Sequence, residues 1–289
     1  MTSESINAIA GCSIYFKCEN FQKIGAFKAR GGLNAVMALP EDQRQKGVVT
    51  HSSGNHAQAL AMAAKMCGIP AYIVMPETAP EVKKKAVKGY GAEITFCKPT
   101  IESRLENANR IQEATGAFMV SPYNDYNVIA GQATAAMEFL EDTDGLDALI
   151  TPVGGGGLLA GTALAAHYYT PNTKIFAGEP EGAHDTYLSM QAGKMVAVAN
   201  PGSIADGLLA TMGDKNFAII KELVDDVFVV NDEEIVAAMR LIWERMKIII
   251  EPSCAVPMAA LLKNKERFSG QKVGIILSGG NVDLGKLPF

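Results

Sequence analysis

The chain has 289 residues, 48% of them hydrophobic and 20% charged, with a formal net charge of -5, enough for one large or two modest domains around a substantial core. The acidic balance excludes nucleic acid as an expected partner, since the longest basic run is "KKKA" on a solvated helix face. No apolar run approaches the ~20 residues of a membrane span, and "MTSESINAIAGC" shows no export leader. Cys12, Cys18, Cys67, Cys97 and Cys254 lack a C-x-x-C pair, which suits a reduced, cytoplasmic protein better than a disulfide framework or a zinc site.

Strand-like and helix-like runs alternate along the chain. "GAFKARGG" at 25–32 comes first and sets Lys28 among small residues. On its own it reads first as a solvated helix start and only second as a lysine placed for covalent chemistry. "KGVVTHSS" predicts a strand that feeds the Ala-rich helix "NHAQALAMAAKMCG", stopped at Gly68. "PAYIVMP" predicts a buried strand, "APEVKKKAVKGYG" a helix, "AEITFCK" a strand and "IESRLENANRIQEATG" an amphipathic helix stopped at Gly116. "AFMVSP" is again strand-like. In the second half "LDALITPV" predicts a strand, "LLAGTALAAHYY" a helix and "TKIFAGEP" a strand. "EEIVAAMRLIWERMK" and "VPMAALLKNKERF" predict helices, and "KVGIILSGGN" a final strand. Short Val/Ile runs suit strands covered on both faces. The class is therefore α/β, with open, doubly wound, mainly parallel sheets. No linker marks a boundary, so the domains are expected to interleave. Ligands in such folds lie at the carboxyl ends of strands.

Four constellations fall at those ends. "TPVGGGGLLAG" runs from a strand through Gly154, Gly155, Gly156 and Gly157 into a helix. Converging N–H groups and the helix N-terminus make this a phosphate cradle; the plain alternative is a flexible turn. A sharper rival is the dinucleotide fingerprint, met by Gly155, Gly157 and Ala160 with Glu179 ending the next strand. A P-loop is excluded, because no Gly-Lys-Ser/Thr follows. In "THSSGNHAQALA", Ser52, Ser53 and the amides of Gly54, Asn55 and His56 suit a carboxylate at a helix N-terminus, against a simple N-cap. In "ILSGGNVDL", Ser278 ends an apolar strand, either as a turn residue or as a hydroxyl aimed at a ligand. In "GEPEGAHD", Glu179 and Asp185 with a carbonyl between them suit a hard cation, against an ordinary acidic loop.

Together these pieces resemble the fold-type II pyridoxal-phosphate enzymes (tryptophan synthase β-like), and within them the serine racemase and serine/threonine dehydratase branch. "FKCENFQKIGAFKARGGLNAV", "THSSGNHAQAL", "IPAYIVMPETAP", "VIAGQAT", "PVGGGGLLAG", "SIADGL", "ELVDDVFVV", "IWERMKIIIEP" and "LSGGNVDL" occur in the family's order. The resemblance implies that Lys28 forms the Schiff base with pyridoxal 5′-phosphate and that Gly154–Gly157 hold its phosphate. It gives Asn55 the phenolic oxygen and Ser278 the pyridine nitrogen. Ser53 becomes the hydroxyl on the face opposite the lysine, with Ser52, Gly54, Asn55 and His56 as the substrate-carboxylate loop. Glu179, Asp185 and the carbonyl of Ala183 become the site of a divalent cation (Mg, Ca or Mn).

The implied reaction is dehydration of a β-hydroxy amino acid, such as L-serine or L-threonine, to a 2-oxo acid and ammonia, with serine racemisation beside it. The cofactor acts as electron sink, and Lys28, released and neutral, takes the Cα proton. Racemisation needs a second acid/base, the role of Ser53. "SPYNDYNVIAG" at 121–131 departs from the racemase pattern towards threonine dehydratases, which leaves serine, threonine and 3-hydroxyaspartate open as substrate. A nicotinamide oxidoreductase is the alternative from another class. The expected partner is a small amino acid and a second copy of the chain, with neither nucleic acid nor membrane. Only 27 residues precede Lys28, and the family's longer segment there helps to form the nucleotide site of animal serine racemases, so ATP regulation is not expected. The expected division is a large domain of 1–46 and 126–289, with a small domain, 47–125, inserted.

Overall fold

The computed structural model describes residues 1–52, 54–79 and 81–289, apart from the side chain of Val82. In chain order the elements are α1 (Glu4–Ala10), β1 (Ser13–Cys18), α2 (Lys28–Met37), α3 (Glu41–Arg44), β2 (Val48–His51), α4 (Asn55–Cys67), β3 (Ala71–Pro76), α5 (Glu81–Gly89), β4 (Glu93–Cys97), α6 (Ile101–Thr115), β5 (Phe118–Met119) and α7 (Tyr126–Asp142). There follow β6 (Ala148–Pro152), α8 (Gly157–Tyr169), β7 (Lys174–Pro180), α9 (Asp185–Ala192), α10 (Asp214–Leu223), β8 (Asp226–Val230), α11 (Asp232–Met246), α12 (Pro252–Lys263) and β9 (Lys272–Leu277). Strands and helices largely alternate as the sequence predicts, with successive helices at α2–α3, α9–α10 and α11–α12. No helix among the described residues is long and apolar enough to cross a membrane.

Two compact units emerge, one of Met1–Phe27 with Gln132–Phe289, the other of Lys28–Gly131. Residues 47–125 all fall within the second unit.

The first unit carries a five-stranded sheet in the order β1-β9-β6-β7-β8, parallel throughout. Its inner strands are covered on both faces: every residue of β6 is buried, and in β7 and β9 all but the first. Such strands cannot alternate polar and apolar, because helices cover each face. α12 is buried over Ser253–Leu261 and belongs to the same core as Ile14, Ile150 and Leu277. It starts at Pro252, which needs no N–H partner in a first helical turn. The predicted helix "VPMAALLKNKERF" thus begins earlier than expected, and its "KERF" forms a separate 3-10 turn. α11 starts on a capping box between Asn231 and Glu234. Phe176, Phe228 and Phe268 pack together. The Arg267 guanidinium lies 4.7 Å from the Phe176 ring and 5.2 Å from the Phe228 ring.

The second unit carries a four-stranded sheet, β4-β3-β2-β5, also parallel. The strand expected from "AFMVSP" is only the two residues of β5. α4 buries His56 to Ala64 without a break, as its alanine content allows. Its C-terminus closes on Gly68 and that of α6 on Gly116, both left-handed, as the sequence predicts. Small residues bring the helices close. A Cβ on Gly32 would stand 3.0 Å from the Ala59 Cβ, and one on Gly131 would stand 2.6 Å from the Gly31 Cα. α2 is thereby pressed against α4 and the early turns of α7. This fixes where its first residue, Lys28, begins.

Candidate active site

In the second unit the turn between β2 and α4 gathers four expected residues. Ser52 continues the strand, its N–H donating to Val74 O at 3.1 Å. Its hydroxyl accepts from the Gly54 N–H at 3.3 Å, a local turn bond. Asn55 and His56 open α4. Ser53, expected to act as an acid/base, lies outside the described residues.

The His56 ring points inward, is 2% exposed, and pairs its Nε2 with Val120 O at 3.2 Å. A carbonyl only accepts, so Nε2 carries the proton. Burial pushes the ring's pKa down to about 3, and the Lys28 charge adds to this. His56 is therefore neutral at physiological pH, and its side chain serves the fold.

Lys28 Nζ donates to Pro122 O at 2.6 Å, a short, charge-assisted bond. The residues bearing that carbonyl are themselves held. Thr50 Oγ1 donates to Val120 O at 2.9 Å. The Asn124 N–H donates to Ser121 Oγ at 3.0 Å, and Asp125 Oδ1 accepts from the N–H groups of Asn127 and Val128. The "SPYND" segment thus supplies the lysine's partner from its backbone, which no side-chain motif announces.

A second cation in this unit escaped the sequence reading. Arg104, on α6, is half-buried, and its Nε has no acceptor among the described residues. Its charge helps burial to depress the pKa of His51, at the end of β2.

In the first unit β6 leads through Val153 into Gly154–Gly156, and α8 starts at Gly157. Gly156 has φ +93°, a conformation that side chains disfavour. A Cβ on Gly154 would lie 2.7 Å from the Leu208 Cα. The Gly155 carbonyl accepts from the Gly213 N–H at 3.2 Å and from Asn216 Nδ2 at 2.6 Å. The loop's amides and the α8 N-terminus form a side-chain-free cradle suited to an anion.

Glu179, next to last in β7, is fully buried. Its Oε1 accepts from the Thr186 N–H at 2.9 Å and its Oε2 from the Tyr187 N–H at 2.8 Å. Both oxygens thus serve the first turn of α9, which is not how a dinucleotide site presents its acid to a ribose. Burial pushes the Glu179 pKa up to about 8, against the pull of those amides. Asp185, also buried, accepts from the Met212 N–H at 2.9 Å and is likewise pushed up by burial. Ala183 ends the 3-10 turn between them. Two buried carboxylates and a main-chain carbonyl are an oxygen donor set, fit for a hard cation. No cluster of three or more His, Cys, Asp or Glu suited to a metal occurs among the described residues.

Ser278, 3% exposed, follows β9. Its carbonyl accepts from the Phe27 N–H at 3.0 Å, and Gly279 bridges Ala26. Asn281 Nδ2 donates to Ile24 O at 2.7 Å. The serine turn and the segment leading to Lys28 are stitched together.

The chain as a whole resembles known proteins. The family model described as "Pyridoxal-phosphate dependent enzyme" matches residues 1–279. The serine racemase of Dictyostelium discoideum is 52% identical over 99% of this chain and 90% of its own length. The beta-hydroxyaspartate dehydratase of Paracoccus denitrificans is 50% identical over 100% of this chain and 91% of its own. The solved structure of maize serine racemase superposes with a TM-score of 0.97 at 48% identity, covering 99% of this chain and 88% of that one. The chain therefore belongs to the pyridoxal-phosphate dependent enzymes.

Proposed function

We propose that this enzyme dehydrates a β-hydroxy amino acid such as L-serine or L-threonine to a 2-oxo acid and ammonia, with serine racemisation as a companion activity. The observation that carries this is near-full-length identity of about half to both a serine racemase and a hydroxyaspartate dehydratase. For serine the atoms balance as one 2-oxo acid and one ammonia, the water lost in elimination returning on hydrolysis of the enamine.

The cofactor fits the residues present. A Cβ on Gly154 would meet Leu208 and one on Gly156 would meet Asn216, so the loop packs closely without side chains and leaves its amides for an anion, and Ser278 is buried and uncharged. In our reading Lys28 holds the cofactor covalently, Gly154–Gly157 its phosphate, Asn55 its phenolic oxygen and Ser278 its ring nitrogen. When bound, pyridoxal phosphate draws electrons from the substrate Cα. Lys28 takes the Cα proton with its neutral amine. Its bond to Pro122 O keeps the nitrogen aimed while it is charged. A serine hydroxyl has no negative charge to hold a proton on the ring nitrogen, as an aspartate would. That favours prompt loss of the β-hydroxyl over a long-lived carbanion. Ser52 and the amides of Gly54, Asn55 and His56 receive the substrate carboxylate. Ser53 returns a proton from the other face in racemisation. The reading includes a homodimer.

A second reading, 3-hydroxyaspartate ammonia-lyase, has an observation of its own. Arg104 offers a guanidinium nitrogen with no acceptor among the described residues, and a substrate with a second carboxylate would supply one. The test is 2-oxo acid release with Mg²⁺ present, from L-serine, L-threonine and threo-3-hydroxyaspartate, by the natural chain and by Arg104→Gln. Preference for serine or threonine supports the first reading. Preference for hydroxyaspartate, with kcat/KM falling roughly 10- to 100-fold in Arg104→Gln as a charged hydrogen bond is lost, supports the second. No release from any of the three overturns both.

We place a divalent cation on Glu179, Asp185 and the Ala183 carbonyl. Mg²⁺ at about a hundredfold over its Kd should stabilise the fold by ~2.7 kcal/mol, or roughly 4–5 °C in Tm for a chain of this length. The shift should vanish in Glu179→Gln. A flat thermal-melt response of the natural chain to Mg²⁺, Ca²⁺ and Mn²⁺ would remove the cation from this account.

A further inference from the structure

Asn216 belongs to none of the motifs above. It sits in the first turn of α10, with its side chain fully buried. A buried amide is costly unless hydrogen-bonded, and this one spends a donor on the glycine loop, Nδ2 to Gly155 O at 2.6 Å. The side chain also presses on the next residue. A Cβ on Gly156 would lie 2.8 Å from the Asn216 Cβ.

The peptide between Gly155 and Gly156 joins two residues with wide backbone freedom. It is planar and trans, so its C=O and N–H point opposite ways. Anchoring the C=O on α10 turns the Gly156 N–H away from α10. Were the peptide to flip, a carbonyl oxygen would stand where an anion needs a donor. Convergent N–H groups are what make such a loop bind anions. The Gly213 N–H is a second, longer tether to the same oxygen, at 3.2 Å.

We propose that Asn216 is a positioning residue for the phosphate loop: it locks the Gly155–Gly156 peptide so that the loop offers N–H groups, and no carbonyl, to the cofactor phosphate. This rests on the reading that 154–157 hold that phosphate.

The test is equilibrium binding of pyridoxal 5′-phosphate, and of pyridoxal lacking the phosphate, to the full-length chain stripped of cofactor. The natural chain is compared with Asn216→Ala and with Asn216→Asp, which keeps the shape but faces the Gly155 carbonyl with an acceptor. The phosphorylated ligand should bind at least about tenfold more weakly to Asn216→Ala, as for loss of one buried hydrogen bond, and more weakly still to Asn216→Asp. Pyridoxal should hold within about twofold, a few tenths of a kcal/mol. If Asn216→Ala does not fold, Asn216→Asp carries the same comparison. A merely structural Asn216 weakens both ligands together or neither, and either result overturns the proposal. If the natural chain itself binds the two ligands equally, the phosphate-loop reading falls and this proposal with it. If the natural chain discriminates and both variants discriminate as well, only the role of Asn216 falls.

Discussion

Replacing Lys28 with alanine is expected to lower kcat by at least about a thousandfold, the upper part of the range for losing a positioned base. Loss of the covalent anchor adds to this. The fold should barely notice. Lys28 is half-buried at the start of α2, alanine is the better helix former, and a positive charge at a helix N-terminus opposes the macrodipole. The lysine's bond to Pro122 O is lost, but Val120 stays tied to Thr50 and His56. A thermal melt of the cofactor-free chain should therefore change little while turnover collapses. Lys28→Arg sharpens the point. Arginine keeps the charge and can still donate to the Pro122 carbonyl, yet it does not give up its proton at any working pH. If lysine served only to brace the 120–125 segment, Lys28→Arg would retain activity. We expect it to be as inactive as Lys28→Ala. Turnover surviving in Lys28→Ala would sink the mechanism.

The alternation of elements was legible because buried parallel strands carry an unmistakable apolar run, as in "ALITP" of β6 and "KVGIIL" of β9. The start of α12 was not. The sequence pattern begins that helix at Val256 and leaves "PSCA" unassigned, whereas Pro252 opens the helix and Ser253 onward is buried. The glycine cradle and the Ser278 turn could be found because each is a run of special residues at a strand end. Partners that act through the backbone could not. Pro122 holds Lys28 with a carbonyl, and any residue has one. Asn216 and Arg104 were missed for a related reason: each is a single polar residue in an amphipathic helix, where the default is a solvated face. Glu179 was noticed but allowed two meanings. Its bonds to the Thr186 and Tyr187 amides give it a place in the α9 first turn that spacing alone did not show. The small residues Gly31, Gly32 and Gly131 carried no signal of their own. Their meaning is the close approach of α2 to its neighbours, and a contact is a property of pairs.

Gly154→Ala should weaken retention of pyridoxal phosphate by roughly 5- to 150-fold, the equivalent of the ~1–3 kcal/mol that overpacking costs. The added methyl would stand 2.7 Å from the Leu208 Cα and 3.0 Å from the Leu208 O. These are backbone atoms with no rotamer to change. The turn that bears them is pinned twice. The Gly207 N–H donates to Ser253 Oγ at 3.0 Å, and the Leu208 N–H donates to Ala205 O at 2.9 Å. Ser253 is itself buried in α12. The glycine loop is therefore the partner expected to yield, and moving it displaces the amides that face the phosphate. Gly202→Ala is the control, since a Cβ there meets nothing within 4 Å; it should match the natural chain in both cofactor affinity and Tm. Measuring the two quantities together tells which side gave way. Weaker cofactor with a small loss of Tm means that the loop moved. An unchanged cofactor affinity with a large loss of Tm means that the 206–208 turn was the softer element, and the loop's rigidity, which the tethers from Gly213 and Asn216 supply, is then greater than the packing at Leu208.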